Sequence, residues 1–161
     1  MKLAMKIAGA ALAMLVSAEA LAAQDLFALW DGGGTYKGTG KFREQTGRSG
    51  KYEITSEFSE KDAGGKRVVA LKTTSKLDGR TQTWTVYFAD EKNGFFNVLD
   101  SSNMKVIGEG FCFESQCQIS VSSVTTKLLE TFTFHGPTLT VLGIRNIGGQ
   151  RSVWHEIMLK Q

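Results

Sequence analysis

Polar and apolar residues alternate with a period of two along most of this chain, and this pattern is the strongest constraint on its fold. It is cleanest in residues 35–43 and 51–58, where every second side chain is charged or a threonine. Successive side chains of a β-strand point to opposite faces, so such runs predict strands with one buried face and one solvent face. The predicted inward sets are Tyr36, Gly38, Gly40 and Phe42, then Tyr52, Ile54, Ser56 and Phe58.

Further strand-like runs follow to the end of the chain, and short turn signals separate them. The runs are 66–77, 80–90, 95–100, 104–114, 117–122, 125–135, 138–146 and 151–160. Asp78-Gly79 and Asn93-Gly94 favour hairpin turns, which need positive φ angles. No crossover helix is visible, so the sheet should be antiparallel.

This order of about ten short-linked strands predicts an all-β, up-and-down meander that closes into a calycin-like barrel, because closure removes exposed sheet edges. A two-sheet β-sandwich is the alternative, although sandwiches usually need long Greek-key connections. Gln24 to Trp30 precedes the first strand and is either a short helical plug at one barrel mouth or a simple lead-in.

The first 22 residues have the three parts of a secretory signal peptide. Lys2 and Lys6 form a basic head, an apolar run follows from Ile7 to Val16, and small residues end in Ala20-Leu21-Ala22. Cleavage is expected after Ala22, or alternatively after Ala20. The apolar run is shorter than the roughly 20 residues that a membrane-spanning helix needs. We therefore expect a periplasmic or secreted bacterial protein, with one domain over residues 23–161 and no integral membrane segment.

Charge gives little indication of a macromolecular partner. Without Lys2, Lys6 and Glu19 the chain keeps 17 basic and 15 acidic side chains, a formal charge of +2. The basic residues are spread through the strands rather than clustered, so the sequence does not indicate nucleic-acid binding. The sequence does not indicate whether the protein is a monomer or an oligomer.

The two cysteines indicate a local cross-strand disulfide. Cys112 and Cys117 flank four residues of a predicted hairpin turn, and an oxidising compartment favours their pairing. A redox pair or metal site is the alternative, but the spacing is not C-x-x-C and no histidine lies beside it.

The predicted interior mixes aromatic with small and polar residues, which favours a cavity over a solid core. His135 precedes Gly136-Pro137 and is predicted to be a surface turn residue. His155 alternates with Val153, Ile157 and Leu159, so it is predicted to point into the barrel, either as a satisfied core histidine or as a ligand. The candidate ligand-binding residues are Tyr36, Tyr52, Ser56, Trp84 and His155.

Motifs of the common catalytic sites are missing: the chain has no G-x-S-x-G or H-E-x-x-H, and no phosphate-binding loop. No catalytic residue is assigned, and an enzyme is the less favoured class.

Residues 34–42, read as G-T-Y-K-G-T-G-K-F, resemble the G-T-W-x-G-x-G start of nitrobindin-like, ten-stranded calycin barrels of the lipocalin and fatty-acid-binding-protein superfamily. Residues 155–160 resemble the closing strand of those barrels. The resemblance implies a histidine near the chain end as a haem ligand, here His155, and Tyr36 replaces the expected tryptophan. In that family some members isomerise peroxynitrite.

Three functions follow from these observations. The first is an exported protein that holds a small apolar or amphipathic ligand in the barrel. The second is an envelope interaction module, such as an inhibitor or assembly factor, with a solid core. The third is a nitrobindin-like haem protein with His155 as the metal ligand and no other cofactor.

Overall fold

The computed structural model describes residues 33–92 and 94–161. The predicted signal peptide and the segment Gln24 to Trp30 lie outside these residues. The ten strands run in chain order as β1 (Gly34–Glu44), β2 (Ser49–Ala63), β3 (Lys66–Leu77), β4 (Arg80–Lys92), β5 (Phe95–Asp100), β6 (Val106–Phe113), β7 (Gln116–Ser122), β8 (Thr126–His135), β9 (Thr138–Ile147) and β10 (Gln150–Lys160).

All ten strands form one closed barrel in which each pairs antiparallel with its sequence neighbours. Closure joins β1 to β10, in a register from Tyr36 opposite Lys160 to Glu44 opposite Ser152. The predicted antiparallel barrel is thus confirmed, and the sandwich alternative was wrong. In the described part of the chain, no helix is long and apolar enough to cross a membrane.

The hairpins obey the turn chemistry that the sequence indicates. Asp78 and Gly79 both have positive φ, at 49° and 74°, and Gly148 and Gly149 have φ of 56° and 87°. Positive φ at both central residues is the geometry that matches the twist of adjacent strands. These tight turns keep each strand next to the following one, so the meander closes without a crossover.

Aromatic side chains fill the end of the barrel where β1 begins. The rings of Tyr36, Phe58 and Phe134 pack edge to face, with centroids 5.8 to 6.3 Å apart. Phe88 and Phe96 form a similar pair at 5.3 Å. Such contacts add about 0.5–1.5 kcal/mol each beyond area burial. This end of the interior is therefore solid, and we call it the closed end.

The orientation predicted for β10 was wrong. Glu156 and Met158 are buried and Trp154 is partly buried, whereas His155 is exposed on the outside with its two apolar neighbours, Val153 and Ile157. The inward phase is fixed by the register, which sets Glu156 against Gly40 of β1 and Val141 of β9. The more aliphatic set of β10 thus faces outward.

The disulfide prediction is confirmed: Cys112 and Cys117 are bonded, and they form a direct cross-strand pair of β6 and β7 with Cα atoms 4.0 Å apart. Both cysteines are buried in the core. The bond closes the β6–β7 hairpin beside Phe132, which pairs with Cys117 across β7 and β8.

Candidate ligand-binding cavity

The interior holds a cavity of about 880 Å³. It reaches the barrel end opposite the aromatic closed end, because Glu44, Arg48, Asp78 and Arg80 of the turn regions line it. We call this end the mouth. The apolar wall residues are Phe42, Leu71, Leu77, Trp84, Val86, Val98, Ile119, Val121, Leu128, Phe132, Val141 and Trp154, and the polar ones include Tyr52, Ser56, Thr73, Ser75, Gln82, Glu130, Arg145, Ser152 and Glu156.

A first hydrogen bond in the cavity crosses an intervening strand. The Tyr52 hydroxyl on β2 donates to Oε1 of Glu156 on β10, at 2.5 Å. Between them lies Gly40 of β1, which pairs with both residues. A Cβ at Gly40 would lie 2.6 Å from the Tyr52 hydroxyl oxygen and nearer still to the ring. The missing side chain thus lets the phenol lie across β1 and reach the carboxyl group.

A second pair repeats this arrangement on the neighbouring strands. Trp154 of β10 lies beside Glu130 of β8 and acts to lower the pKa of its carboxyl group, and Gly143 of β9 pairs with both residues. A Cβ at Gly143 would lie 2.7 Å from the indole Nε1 and closer to the six-membered ring. Two glycines therefore allow two aromatic side chains to lie beside two carboxyl groups inside one barrel.

Both carboxyl groups have raised pKa values. Burial and then the neighbouring charge of Glu156 raise the pKa of Glu130 to about 8, against the opposing effects of Trp154 and Arg145. Burial raises the pKa of Glu156 to about 7, and the Tyr52 hydrogen bond acts in the other direction. Burial also raises the pKa of Tyr52. Desolvation disfavours the charged form of each group, so the pair binds protons near neutral pH.

The basic residues of the cavity lie towards solvent. Arg145 is exposed, and its guanidinium carbon lies 6.0 Å from the Trp154 ring centroid. Arg48 at the mouth pairs with Glu44 at 3.9 Å and lies over the Phe42 ring at 5.6 Å. Exposed ion pairs of this kind contribute little to stability. Basic and acidic groups therefore balance at the mouth, whereas Glu130 and Glu156 lie deeper in the cavity.

Two hydroxyl groups line the wall that β2 and β3 form. Ser56 and Thr73 are cross-strand partners on β2 and β3 and are only 4% and 5% exposed. Neither side chain makes a hydrogen bond to another of the described residues. Buried hydroxyls normally have a partner, which here would be water or a ligand in the cavity.

Three of the sequence-predicted site residues line this cavity: Tyr52, Ser56 and Trp84. Tyr36 instead belongs to the aromatic closed end. Sequence reasoning missed Glu130, Glu156 and Arg145. A signal for Glu156 was present, since it alternates with the large side chains Trp154 and Met158.

His155 lines a separate groove of about 770 Å³ on the outer surface. Its neighbours there are the basic Lys41 and Arg43 and the exposed Leu142 and Val153. His155 pairs with Lys41 and Leu142 on the adjacent strands. It therefore cannot reach a ligand inside the barrel.

The residues present do not fit a histidine-ligated haem in the cavity. The chain has two histidines, and both His135 and His155 are exposed on the outside of the barrel. In the described residues there is also no group of three or more histidine, cysteine or acidic side chains that could hold a metal ion. The haem expectation attached to His155 thus loses its structural basis.

Comparison with known proteins identifies the class of fold. No family model matches the chain, and no curated protein matches it. Among solved structures it is similar to the S-type phycobiliprotein lyase CPES from Guillardia theta, with a TM-score of 0.62 and 8% sequence identity. The match covers 80% of this chain and 87% of that chain. At this identity the likeness concerns the fold alone, and the protein is a ten-stranded barrel of the calycin type.

Proposed function

We propose that this protein is an exported carrier that binds one small amphipathic molecule inside its barrel. The observation that carries the proposal is the cavity itself. Its volume of about 880 Å³ lies within the range of about 300–1,000 Å³ for small-molecule sites. Its lining also has the usual composition of such sites, an apolar wall with a few polar groups that orient a ligand.

The polar groups are arranged to receive an amphipathic molecule. The carboxyl groups of Glu130 and Glu156 and the hydroxyls of Ser56 and Thr73 occupy different walls, with leucine, valine and phenylalanine side chains between them. A core filled by its own side chains would not leave two buried hydroxyls without protein partners. This supports the carrier over the interaction module with a solid core.

Two further observations agree with the proposal. The disulfide between Cys112 and Cys117 is typical of exported proteins, as the leader-like residues 1–22 also suggest. A protein with a similar barrel fold is by its title an S-type phycobiliprotein lyase.

The test is binding of the neutral fluorophore diphenylhexatriene to the mature protein, residues 23–161. We expect saturable binding of one probe per chain. Ser56→Phe places a ring in the cavity and should weaken binding by about tenfold or more, which is at least about 1.4 kcal/mol.

The matched control is Thr55→Phe, because Thr55 is the neighbouring residue of β2 on the outer face. It should leave binding unchanged. Absence of saturable binding to the wild type, or equal weakening by both variants, would refute the proposal.

A further inference from the structure

We infer that the ligand of this barrel carries a positively charged nitrogen, which binds between Glu130 and Glu156 beneath the rings of Tyr52 and Trp154. The inference rests on the proposed function and names its ligand class. The ligand is an organic ammonium or quaternary ammonium with an apolar body, rather than a fatty acid or another anion.

The first argument is the distribution of charge along the cavity. Four carboxyl groups and three guanidinium groups line it. The three arginines, Arg48, Arg80 and Arg145, are all exposed, whereas Glu156 is only 6% exposed and Glu130 is partly buried. Arg48 is further occupied by its pair with Glu44 at the mouth. The acidic groups therefore lie deeper in the cavity than the basic ones, and they make its deep part negative when they are ionised, with Arg145 offsetting part of that charge.

The second argument is the unused acceptor capacity of these carboxyl groups. Each carboxylate offers about four lone-pair sites. Within the described residues, Glu156 accepts one side-chain hydrogen bond, from Tyr52, and the indole of Trp154 is the side chain that acts to lower the pKa of Glu130. A buried charge is costly unless it is paired. The remaining acceptor sites of both groups face a cavity large enough for a ligand cation that would pair with them.

The third argument is the aromatic side chain beside each carboxyl group. The Tyr52 ring lies over Gly40 and the Trp154 ring over Gly143, so both rings pack against the wall at positions without a side chain. A cation near the face of tryptophan or tyrosine gains about 0.5–2 kcal/mol. Two aromatic faces and two carboxyl groups make a recognised arrangement for ammonium ligands.

The fourth argument is that the wall formed by β2 and β3 suits the rest of such a ligand. Thr73 of β3 lies five strands around the ring from Glu130 of β8, which is directly across a barrel of ten strands. Its hydroxyl and that of Ser56 are buried without a side-chain partner among the described residues. A polar group at the far end of the ligand would satisfy them.

The experiment uses three probes with one apolar body: diphenylhexatriene, its trimethylammonium derivative and its propionic acid derivative. At about pH 9, where both carboxyl groups are ionised, the cationic probe should bind the wild type about tenfold more tightly than the neutral one, and the anionic probe more weakly. In the double variant Glu130→Gln, Glu156→Gln the cationic and neutral probes should bind alike. The exposed control Glu109→Gln should keep the wild-type preference.

Binding of the neutral probe to the double variant checks that the variant is folded and its cavity is intact. If the neutral probe binds the wild type but the cationic probe binds no better, the ligand class is wrong and the carrier function stands. The ligand class is also wrong if the anionic probe binds most tightly, since Arg145 and the arginines at the mouth would then determine which charge the cavity prefers. If no probe binds the wild type, the proposed function itself fails.

Discussion

Substitution of Gly143 by alanine tests the arrangement on which the cavity depends. The backbone there does not need glycine, since Gly143 has no positive φ. The new Cβ would, however, lie 2.7 Å from Nε1 of Trp154 and 2.1 Å from the nearest carbon atoms of its ring, where real Cβ contacts are essentially never under 3.0 Å. The indole must therefore move by about 1 Å or more.

The magnitude follows from two effects. Overpacking of a tight site costs about 1–3 kcal/mol. Moving the indole from its place beside the partly buried Glu130 carboxyl group costs about 1–3 kcal/mol more. We therefore expect Gly143→Ala to lower the free energy of unfolding by about 3 kcal/mol, and by more above pH 8, where Glu130 is ionised.

The assay is urea unfolding of residues 23–161 with the disulfide intact, followed by far-ultraviolet circular dichroism. A double-mutant cycle with Trp154→Ala separates the causes, because contacting residues do not contribute additively. In the Trp154→Ala background, Gly143→Ala should lower the free energy of unfolding by less than about 0.5 kcal/mol. An equal loss in both backgrounds would refute the view that Gly143 exists to admit the Trp154 ring.

Three further outcomes are expected. The raised pKa values of Glu156 and Glu130, about 7 and about 8, mean that the folded state holds protons which the unfolded state, with an ordinary value of 4.5, has released. The contribution of the two groups to stability should be fully present below about pH 4.5, fall between about pH 4.5 and pH 7 to 8 by up to about 1.4 kcal/mol per pH unit for each group, and level off above that range. Urea titrations at several pH values should show this slope flattened in the double variant Glu130→Gln, Glu156→Gln. Intact mass should show that Cys112 and Cys117 are paired and resist alkylation before reduction, and free thiols in the oxidised sample would contradict the bond. Replacing both cysteines by alanine should lower the free energy of unfolding by about 2 kcal/mol. Titration with haemin should give the same Soret spectrum for the wild type, His155→Ala and His135→Ala, since both imidazoles lie outside the barrel; a saturable shift lost only in His155→Ala would restore the haem hypothesis.

The faces of β1 and of residues 51–58 in β2 were predictable because the outward residues there are charged or threonine, so polarity alone separates the two sets. In β10 this criterion fails. Its outward residues Val153, Ile157 and Leu159 are more aliphatic than the inward set, which contains Glu156. Only the hydrogen bond from Tyr52, 104 residues away in sequence, explains why a glutamate is buried there.

The glycines of β1 show a second limit of sequence reasoning. Small residues at inward positions predicted open space, but the Tyr52 ring occupies the space over Gly40. Gly38 allows close approach of the backbone of Ile157 and Met158. The cavity depends instead on Ser56, Thr73 and their neighbours. A glycine in a strand thus marks a close approach as readily as a void.

Native mass spectrometry of the mature protein purified from its own host tests the central claim most directly. We expect a complex of one chain with one small molecule, which denaturing conditions release and which is lost from Ser56→Phe but kept by Thr55→Phe. A native mass equal to that of the disulfide-bonded polypeptide, together with no saturable binding of diphenylhexatriene, would contradict the assignment of this barrel as a ligand carrier.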